Sequence, residues 1–201
     1  MTLIGCITFF DDEIFLLDGA IRSLKKYCDK IVAVDGRYDA FPGDKTLSSP
    51  ECRDFVRSKV DVMIDIAEPL PQWEKRNKYL IGKRGDFYLV LDADETIEGK
   101  LPTLTTLTKS EYLVPIRDED WHIPNHVTRF FKHEKNKKYW KVHHCLWRDG
   151  ELIHPSTMSI LPGMLIIHHR MKRNPERRKE GGIWKRNQIE DEREIRELKH
   201  L

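Results

Sequence analysis

The stretch Phe87-Tyr88-Leu89-Val90-Leu91-Asp92-Ala93-Asp94-Glu95 decides how the chain is read. An unbroken apolar run rich in aromatic and branched side chains describes a strand buried on both faces, and three carboxylates end it at once. Strands of that kind belong to parallel sheets covered by helices, whose ligands bind just beyond the carboxyl ends of the strands. The acids therefore stand where a site belongs. Carboxylates suit hard cations, and Mg²⁺ or Mn²⁺ held by one or two of them completes its shell with substrate phosphates and water. Asp92-Ala93-Asp94 at a strand exit is thus a pattern for gripping a diphosphate through a metal. The plainer alternative is that these acids only solubilise a strand end.

Upstream, three more extended runs, Leu3 to Phe10, Lys30 to Asp35 and Val62 to Ile66, alternate with helical patterns. Leu17, Ile21, Leu24 and Tyr27 recur at helical spacing behind the acidic start Asp11-Asp12-Glu13, whose charge suits a helix N-terminus. Glu51 to Val60 makes a second helix; Gln72 to Ile81, opened by Pro71 and closed by Gly82, makes a third. The first half reads βαβαβαβ, an α/β fold with a mostly parallel, Rossmann-like sheet flanked by helices. Beyond Gly99 the runs shorten to Tyr112–Ile116, Thr128–Lys132, Tyr139–Val142 and Leu161–His168, with turn signals at Lys135-Asn136 and Asp149-Gly150. This predicts a smaller mixed or antiparallel half. Pro175 to Leu198 closes the chain with a charged helical pattern.

The 201 residues suit one domain, divided here into 1–100, 101–170 and a basic segment 171–201. Hydrophobic residues at 39% and charged residues at 34% exclude a disordered or membrane-spanning chain by composition. The opening apolar run is cut by Asp11-Asp12-Glu13 and lacks a basic leader, so no signal peptide is read. Cys6, Cys28, Cys52 and Cys145 form no CxxC pair, which argues against a zinc knuckle and a disulfide framework and for a cytoplasmic protein. Net charge is +2, but residues 170–187 carry about +6, leaving about −4 elsewhere.

Other strand exits add candidates. Asp35-Gly36 ends the second run: the acid can accept hydrogen bonds from a base or ribose, and the glycine lets backbone come close. Thr8 and Phe10 at the exit of the first run are further candidate donor contacts. That exit, Thr8-Phe9-Phe10-Asp11-Asp12, holds no GxGxxG and no phosphate loop, which argues against a dinucleotide cofactor and an NTPase.

The ordered set of an opening strand, a strand-end Asp-Gly, Lys75-Arg76-Asn77 on a helix and Leu91-Asp92-Ala93-Asp94-Glu95 resembles the family 2 glycosyltransferases of GT-A fold. The likeness covers residues 1 to 100 and continues more loosely to 170. It implies that Asp35 and Gly36 meet the donor base, that Arg76 and Asn77 lie near the nucleotide, and that Asp92 and Asp94 bind metal and ribose or diphosphate. Arg129-Phe130-Phe131 followed by Val142-His143-His144 resembles the "RLF... vHE" segment of a bacterial subgroup that decorates polysaccharides, with His144 standing where that subgroup has Glu. Candidates for the general base are Asp118, Glu119, Asp120, His143 and His144. The resemblance puts Asp120 first, because such enzymes draw their base from an acidic pair after the post-DxD strand. It also implies a late histidine in the metal shell, His168 with His169 second, which would favour manganese. The basic stretch that follows reads either as a solvated helix face or, as the resemblance implies, as a segment whose Arg170 or Lys172 neutralises the leaving diphosphate.

The function so implied is inverting, metal-dependent transfer of a sugar from a nucleotide-diphosphate donor, UDP-linked first among the options, to a hydroxyl on a glycan or lipid-linked acceptor. The basic C-terminus allows peripheral contact with the inner face of a membrane. Two rivals stand beside it: a sugar nucleotidyltransferase, weakened by the missing Gly-rich basic loop, and a non-catalytic module binding nucleic acid or an anionic surface, weakened by the intact Asp-x-Asp.

Overall fold

The computed structural model describes residues 1–39, 41–119 and 124–175, the side chains of 142–144 excepted. Its first half runs β1 (Leu3–Phe9), α1 (Ile14–Lys25), β2 (Lys30–Asp35), α2 (Pro50–Arg57), β3 (Val62–Asp65), α3 (Gln72–Asn77) and β4 (Phe87–Asp92). This is the alternation expected from the apolar runs. These strands pair in parallel in the order β3-β2-β1-β4. The period of two sorts their side chains onto two faces. Leu3, Ile7 and Phe9 of β1, Ile31 and Ala33 of β2, and Phe87, Leu89 and Leu91 of β4 pack with Leu17, Ile21 and Leu24 of α1 and Val56 of α2. Ile4, Cys6, Val32, Val34, Tyr88 and Val90 face the other way, onto Tyr79, Phe131, Tyr139 and Leu146. Both faces are covered, which is why the runs are apolar without alternation.

Helix α3 ends at Asn77, four residues before the expected Ile81. Its last side chain turns outward, with Asn77 Nδ2 donating to the Tyr139 carbonyl at 2.9 Å and the Tyr139 amide donating to Asn77 Oδ1 at 2.8 Å. Tyr79 then leaves the helical path to be fully buried among the β4 side chains. α2 begins at Pro50, with Ser49 accepting from the Cys52 amide. A proline at the first helical position has no amide to leave unpaired.

The later strands are β5 (Glu95–Gly99), β6 (Glu111–Asp118), β7 (Asn125–Lys132), β8 (Lys137–Trp140), β9 (Val142–Arg148), β10 (Glu151–Leu152), β11 (Ser159–Ile160) and β12 (Met164–His168). They do not form a separate half. The main sheet continues β4-β7-β6-β12-β5, with β11 beside β6, and only β10-β9-β8 stand apart as a small antiparallel sheet. β7 is antiparallel to β4 and β6, β12 is parallel to β6, and β5 is antiparallel to β12. Only Ala93 and Asp94 separate β4 from β5, yet β5 pairs at the far end of the sheet. Two residues span at most about 7–11 Å, so the sheet must curl until its last strand returns beside the exit of β4. The result is a mixed α/β architecture with one large, curled, mostly parallel sheet and few helices. No helix among the described residues is long and apolar enough to cross a membrane. The charged helical pattern expected from Pro175 to Leu198 lies, beyond Pro175, outside the described residues.

Asp149 and Gly150, read as a turn, both take positive φ, 53° and 87°, and join β9 to β10. That geometry matches the right-handed twist of a two-residue hairpin. Gly99 has a stricter role: its φ is +99°, and a Cβ there would come within 2.1 Å of the Gly163 carbonyl oxygen, which accepts from the Lys100 amide. The β5–β12 closure needs a glycine at that crossing. Gly99→Ala should lower stability by roughly 2–3 kcal/mol. Gly150→Ala, with open space around its Cβ, should cost about 1 kcal/mol from φ alone. Urea titration of the two variants checks the order, and equal midpoints would contradict it.

Candidate functional site

The parallel register brings the exits of the strands level: Asp65 opposes Asp35, Asp35 opposes Phe9, and Thr8 opposes Asp92. Because the sheet curls, His168 at the end of β12 lies opposite both Asp118, the last residue of β6, and Glu95, the first of β5. The carboxylates of the first half and the histidines of the second therefore meet at one rim.

Asp92 is clamped between two buried arginines. Arg76 from α3 donates to Oδ1; Arg129 from β7 donates to Oδ2 at 2.6 Å and, through the same nitrogen, to Glu95 Oε1 at 2.7 Å. The Asp92 amide donates to the second oxygen of Glu95 at 2.8 Å. Burial alone would strip charge from these guanidiniums, but Asp92 holds both firmly protonated. Burial pushes Glu95 up to about 7, opposed by Arg129 and reinforced by the neighbouring Asp92 charge.

Asp94 is 2% exposed, and its Oδ2 takes both the His168 Nε2 hydrogen bond at 2.9 Å and the Arg173 Nε ion pair at 2.6 Å. Burial would raise its pKa; these two partners outweigh burial and hold it below the usual carboxylate range. Burial works against charge on His168, yet Asp94, then Glu95 and Asp118, lift it to about 9. At neutral pH the ring is an imidazolium bridging Asp94 and, through Nδ1 at 2.7 Å, Asp118.

The chain leaving β12 straps this rim. The His169 amide donates to the Asp94 carbonyl, and the His169 ring lies between Thr96 Oγ1 at 2.8 Å and Glu119 Oε1 at 2.6 Å. Lys172 pairs with Glu119 at 2.7 Å, Arg173 also reaches Asp12 at 3.5 Å, and the Asn174 amide donates to Glu13 at 2.6 Å. Arg170 is exposed in the turn between. Among the described basic residues after β12, Arg173, not singled out in the sequence, meets the Asp-x-Asp.

The other expected donor contacts have local partners. Asp35 is fully buried, and Ser48 donates to it from backbone and hydroxyl while Arg53 lies 3.4 Å away. Its pKa is raised by burial against those bonds. This carboxylate pins the 36–49 connection to β2. The Gly36 carbonyl accepts from Lys75, and a Cβ at Gly36 would sit 2.7 Å from the Ile66 carbonyl oxygen. Thr8 accepts from Tyr38, and Phe10 packs edge-on to Phe41 at 5.9 Å. Asn77 serves the small sheet. Asp120 lies outside the described residues, as do the side chains of His143 and His144, so of the acids after β6 only Asp118 and Glu119 are placed.

Arg129, Glu95, Lys75 and Arg173 had no role from the sequence. The signal for Arg129 was present: an arginine running into buried Phe130-Phe131 must pair with an acid. Lys75 is fully buried, donating to the Phe9 carbonyl at 2.6 Å, with its ammonium 4.1 Å from the Tyr38 ring centroid. Among the described residues no group of three or more His, Cys, Asp or Glu is placed to hold a metal ion. A hard divalent cation fits only as an ion taking one or both Asp-x-Asp carboxylates and completing its shell from a ligand.

No protein-family model matches the sequence, and no curated protein does. Among solved structures the chain is similar to residues 1–349 of S. aureus TarS, a wall teichoic acid glycosyltransferase, with a TM-score of 0.40 and 18% identity over 61% of this chain and 37% of that one. A likeness of that extent fixes neither activity nor substrate, and it spans well under half of the TarS chain.

Two outcomes follow from the clamp. Arg129→Ala strands Glu95 and half of Asp92 in a buried setting and should cost roughly 3–5 kcal/mol, read by denaturant titration; a loss under 1 kcal/mol would contradict the clamp. The raised Glu95 pKa means that the folded state prefers the neutral carboxyl. Its contribution is present below the ordinary value of 4.5 and is lost as pH rises through about 7. Glu95→Gln keeps the neutral form, so its melting temperature relative to the parent should rise between pH 4.5 and 8. A constant difference would show that Glu95 is ionised throughout.

Proposed function

We propose that the chain is a glycosyltransferase of GT-A type, moving a sugar from a nucleotide-diphosphate donor to a hydroxyl acceptor. The observation that carries this reading is the convergence of Arg76, Arg129, His168 and Arg173, from four separate segments, on Asp92 and Asp94 at the carboxyl rim of the parallel strands. The physical demand of sugar transfer is leaving-group charge: a nucleoside diphosphate departs while positive character builds on the sugar. Fixed cations at the diphosphate favour that separated charge over the ground state.

Asp92 and Asp94 would hold Mn²⁺ or Mg²⁺; His168, an imidazolium between Asp94 and Asp118, would join the shell only after giving up a proton. When bound, such an ion supplies Lewis-acid stabilisation of the leaving diphosphate. Arg173 and Lys172, now paired with Asp94 and Glu119, would be the strap residues that bind phosphate oxygens. Arg76 and Arg129 stay on Asp92 and fix its orientation. The acceptor proton goes to an acid at the end of β6 or just beyond it. Asp118 fits among the placed residues, since His168 takes one of its oxygens and its side chain is 40% exposed; Glu119, Asp120, His143 and His144 remain in the set. An inverting single displacement, a UDP-linked donor, a glycan or lipid-linked acceptor, and a cytoplasmic site of action with contact to a membrane surface through the basic C-terminus complete the proposal.

One observation favours a different class: both Asp-x-Asp carboxylates already have cationic partners, as a non-catalytic module on this fold would also keep them. Melting temperature against UDP-, GDP- and dTDP-sugars, with and without Mn²⁺, separates the two. A true donor at 100 times its dissociation constant adds about 2.7 kcal/mol, or roughly 5–10 °C for a chain of this size. Asp94→Asn should abolish both the metal-dependent shift and turnover while the circular dichroism stays that of the parent. No shift with any donor, or turnover retained in Asp94→Asn, would remove the proposal.

A further inference from the structure

The small sheet carries an aromatic cluster that the donor site does not use. Trp140, the last residue of β8, is 36% exposed, and its ring centroid lies 5.2 Å from that of Trp73 on α3, with the rings inclined at 56°. The Lys138 ammonium stands 4.4 Å from the Trp140 ring centroid. Trp147 of β9 is directly across the ladder from Lys138. Trp140 keeps an indole face open to solvent while Trp73, part-buried against the core, braces it, and an aromatic face held in this way suits a ligand.

The cluster is joined to the candidate site through α3. Within six residues this helix sends Trp73 to Trp140, Lys75 to the exits of β1 and β2, Arg76 to Asp92, and Asn77 to both backbone groups of Tyr139. Trp73 precedes Arg76 by three residues, one helical turn, so the aromatic pair stands about 5 Å along the helix from the residue bracing the Asp-x-Asp. Gln72, next to Trp73 in the chain, and Trp147, across the ladder from Lys138, each bury one polar atom, Oε1 and Nε1, that lacks a hydrogen-bond partner. One is an acceptor and the other a donor, and a buried polar atom left unpaired needs an explanation.

We infer that Trp73 and Trp140 form a carbohydrate-binding platform that takes a pyranose ring of the acceptor. A pyranose offers an apolar face of C–H groups, which packs on an indole, and an edge of hydroxyls, each able to donate and accept. Those hydroxyls answer the ammonium of Lys138 beside the Trp140 ring. A lipid chain would want a continuous apolar groove, and a peptide strand would want a free sheet edge; the β8 edge is taken by Asn77. The term acceptor rests on the sugar-transfer reading, whereas the platform does not.

The test is saturation-transfer NMR on the full chain with cellotetraose, chitotetraose and maltotetraose, and with an oligouridylate of four residues as a control. At least one tetrasaccharide should bind with a millimolar dissociation constant, and Trp140→Ala should weaken it about tenfold or more. The Mn²⁺ and UDP-sugar melting shift should be equal in the two proteins. Trp73→Leu, measured alongside, should reproduce the loss. No tetrasaccharide binding, affinity unchanged in Trp140→Ala, or preference for the oligouridylate would overturn the platform while leaving the donor site standing. Tetrasaccharide binding without any donor shift would uphold the platform and remove the transferase reading instead.

Discussion

Everything at the rim depends on the carboxylate of Asp92 held between two buried guanidiniums. Bringing Arg76 and Arg129 out of water costs several kcal/mol per ion, and only close pairing with an acid recovers it. Asp92 sits at the end of the central strand β4, so the clamp ties α3, β4 and β7 together at one point. Arg129 extends it to Glu95, the first residue of β5, which fixes the direction in which the chain leaves Asp94. A buried pair of this kind adds little net stability over an apolar replacement, and this one joins its elements at the point where the sheet curls shut. With β5 so placed, His168 arrives opposite Glu95 and meets Asp94.

The two aspartates of the motif therefore have different work. Asp92 is bound to cations from inside the fold, on a helix and a strand that cannot move far. Asp94 is bound to His168 and to Arg173, and Arg173 belongs to a strap whose other anchors, Lys172 to Glu119 and Asn174 to Glu13, lie nearer the surface. Pairs at the surface give way at little cost, typically below 1 kcal/mol each. A ligand bringing a divalent cation and two phosphates could thus exchange partners at Asp94 without disturbing Asp92. This asymmetry is what makes the cluster a candidate catalytic site as well as a structural brace.

The parallel half of the sheet was legible in the sequence because β1, β2 and β4 are buried on both faces and read as apolar runs with acids at their ends. The return of the second half into the same sheet was not. Glu95-Thr96-Ile97-Glu98-Gly99 has no apolar run to mark it as a strand; its place comes from pairing with β12, about 70 residues away in sequence. Likewise Asp35 was visible as a strand-end acid, but its burial under Ser48 and Arg53 depends on how the 36–49 connection folds back. Asp92 and Asp94 could be named from a single stretch. His168 was expected beside them from the resemblance alone, and the pairings with Arg129 and Arg173 were not legible, since each of these contacts spans more than thirty residues and is set by tertiary packing.

In the proposed function the Asp-x-Asp rim would exchange Arg173 for a divalent cation and its diphosphate. Crystals grown with Mn²⁺ and UDP, with data collected at the manganese edge, test it directly. The account predicts an anomalous peak about 2.0–2.2 Å from an oxygen of Asp94 or Asp92, with Arg173 turned onto a phosphate. An Arg173–Asp94 pair still closed, with no peak at either aspartate, would contradict it.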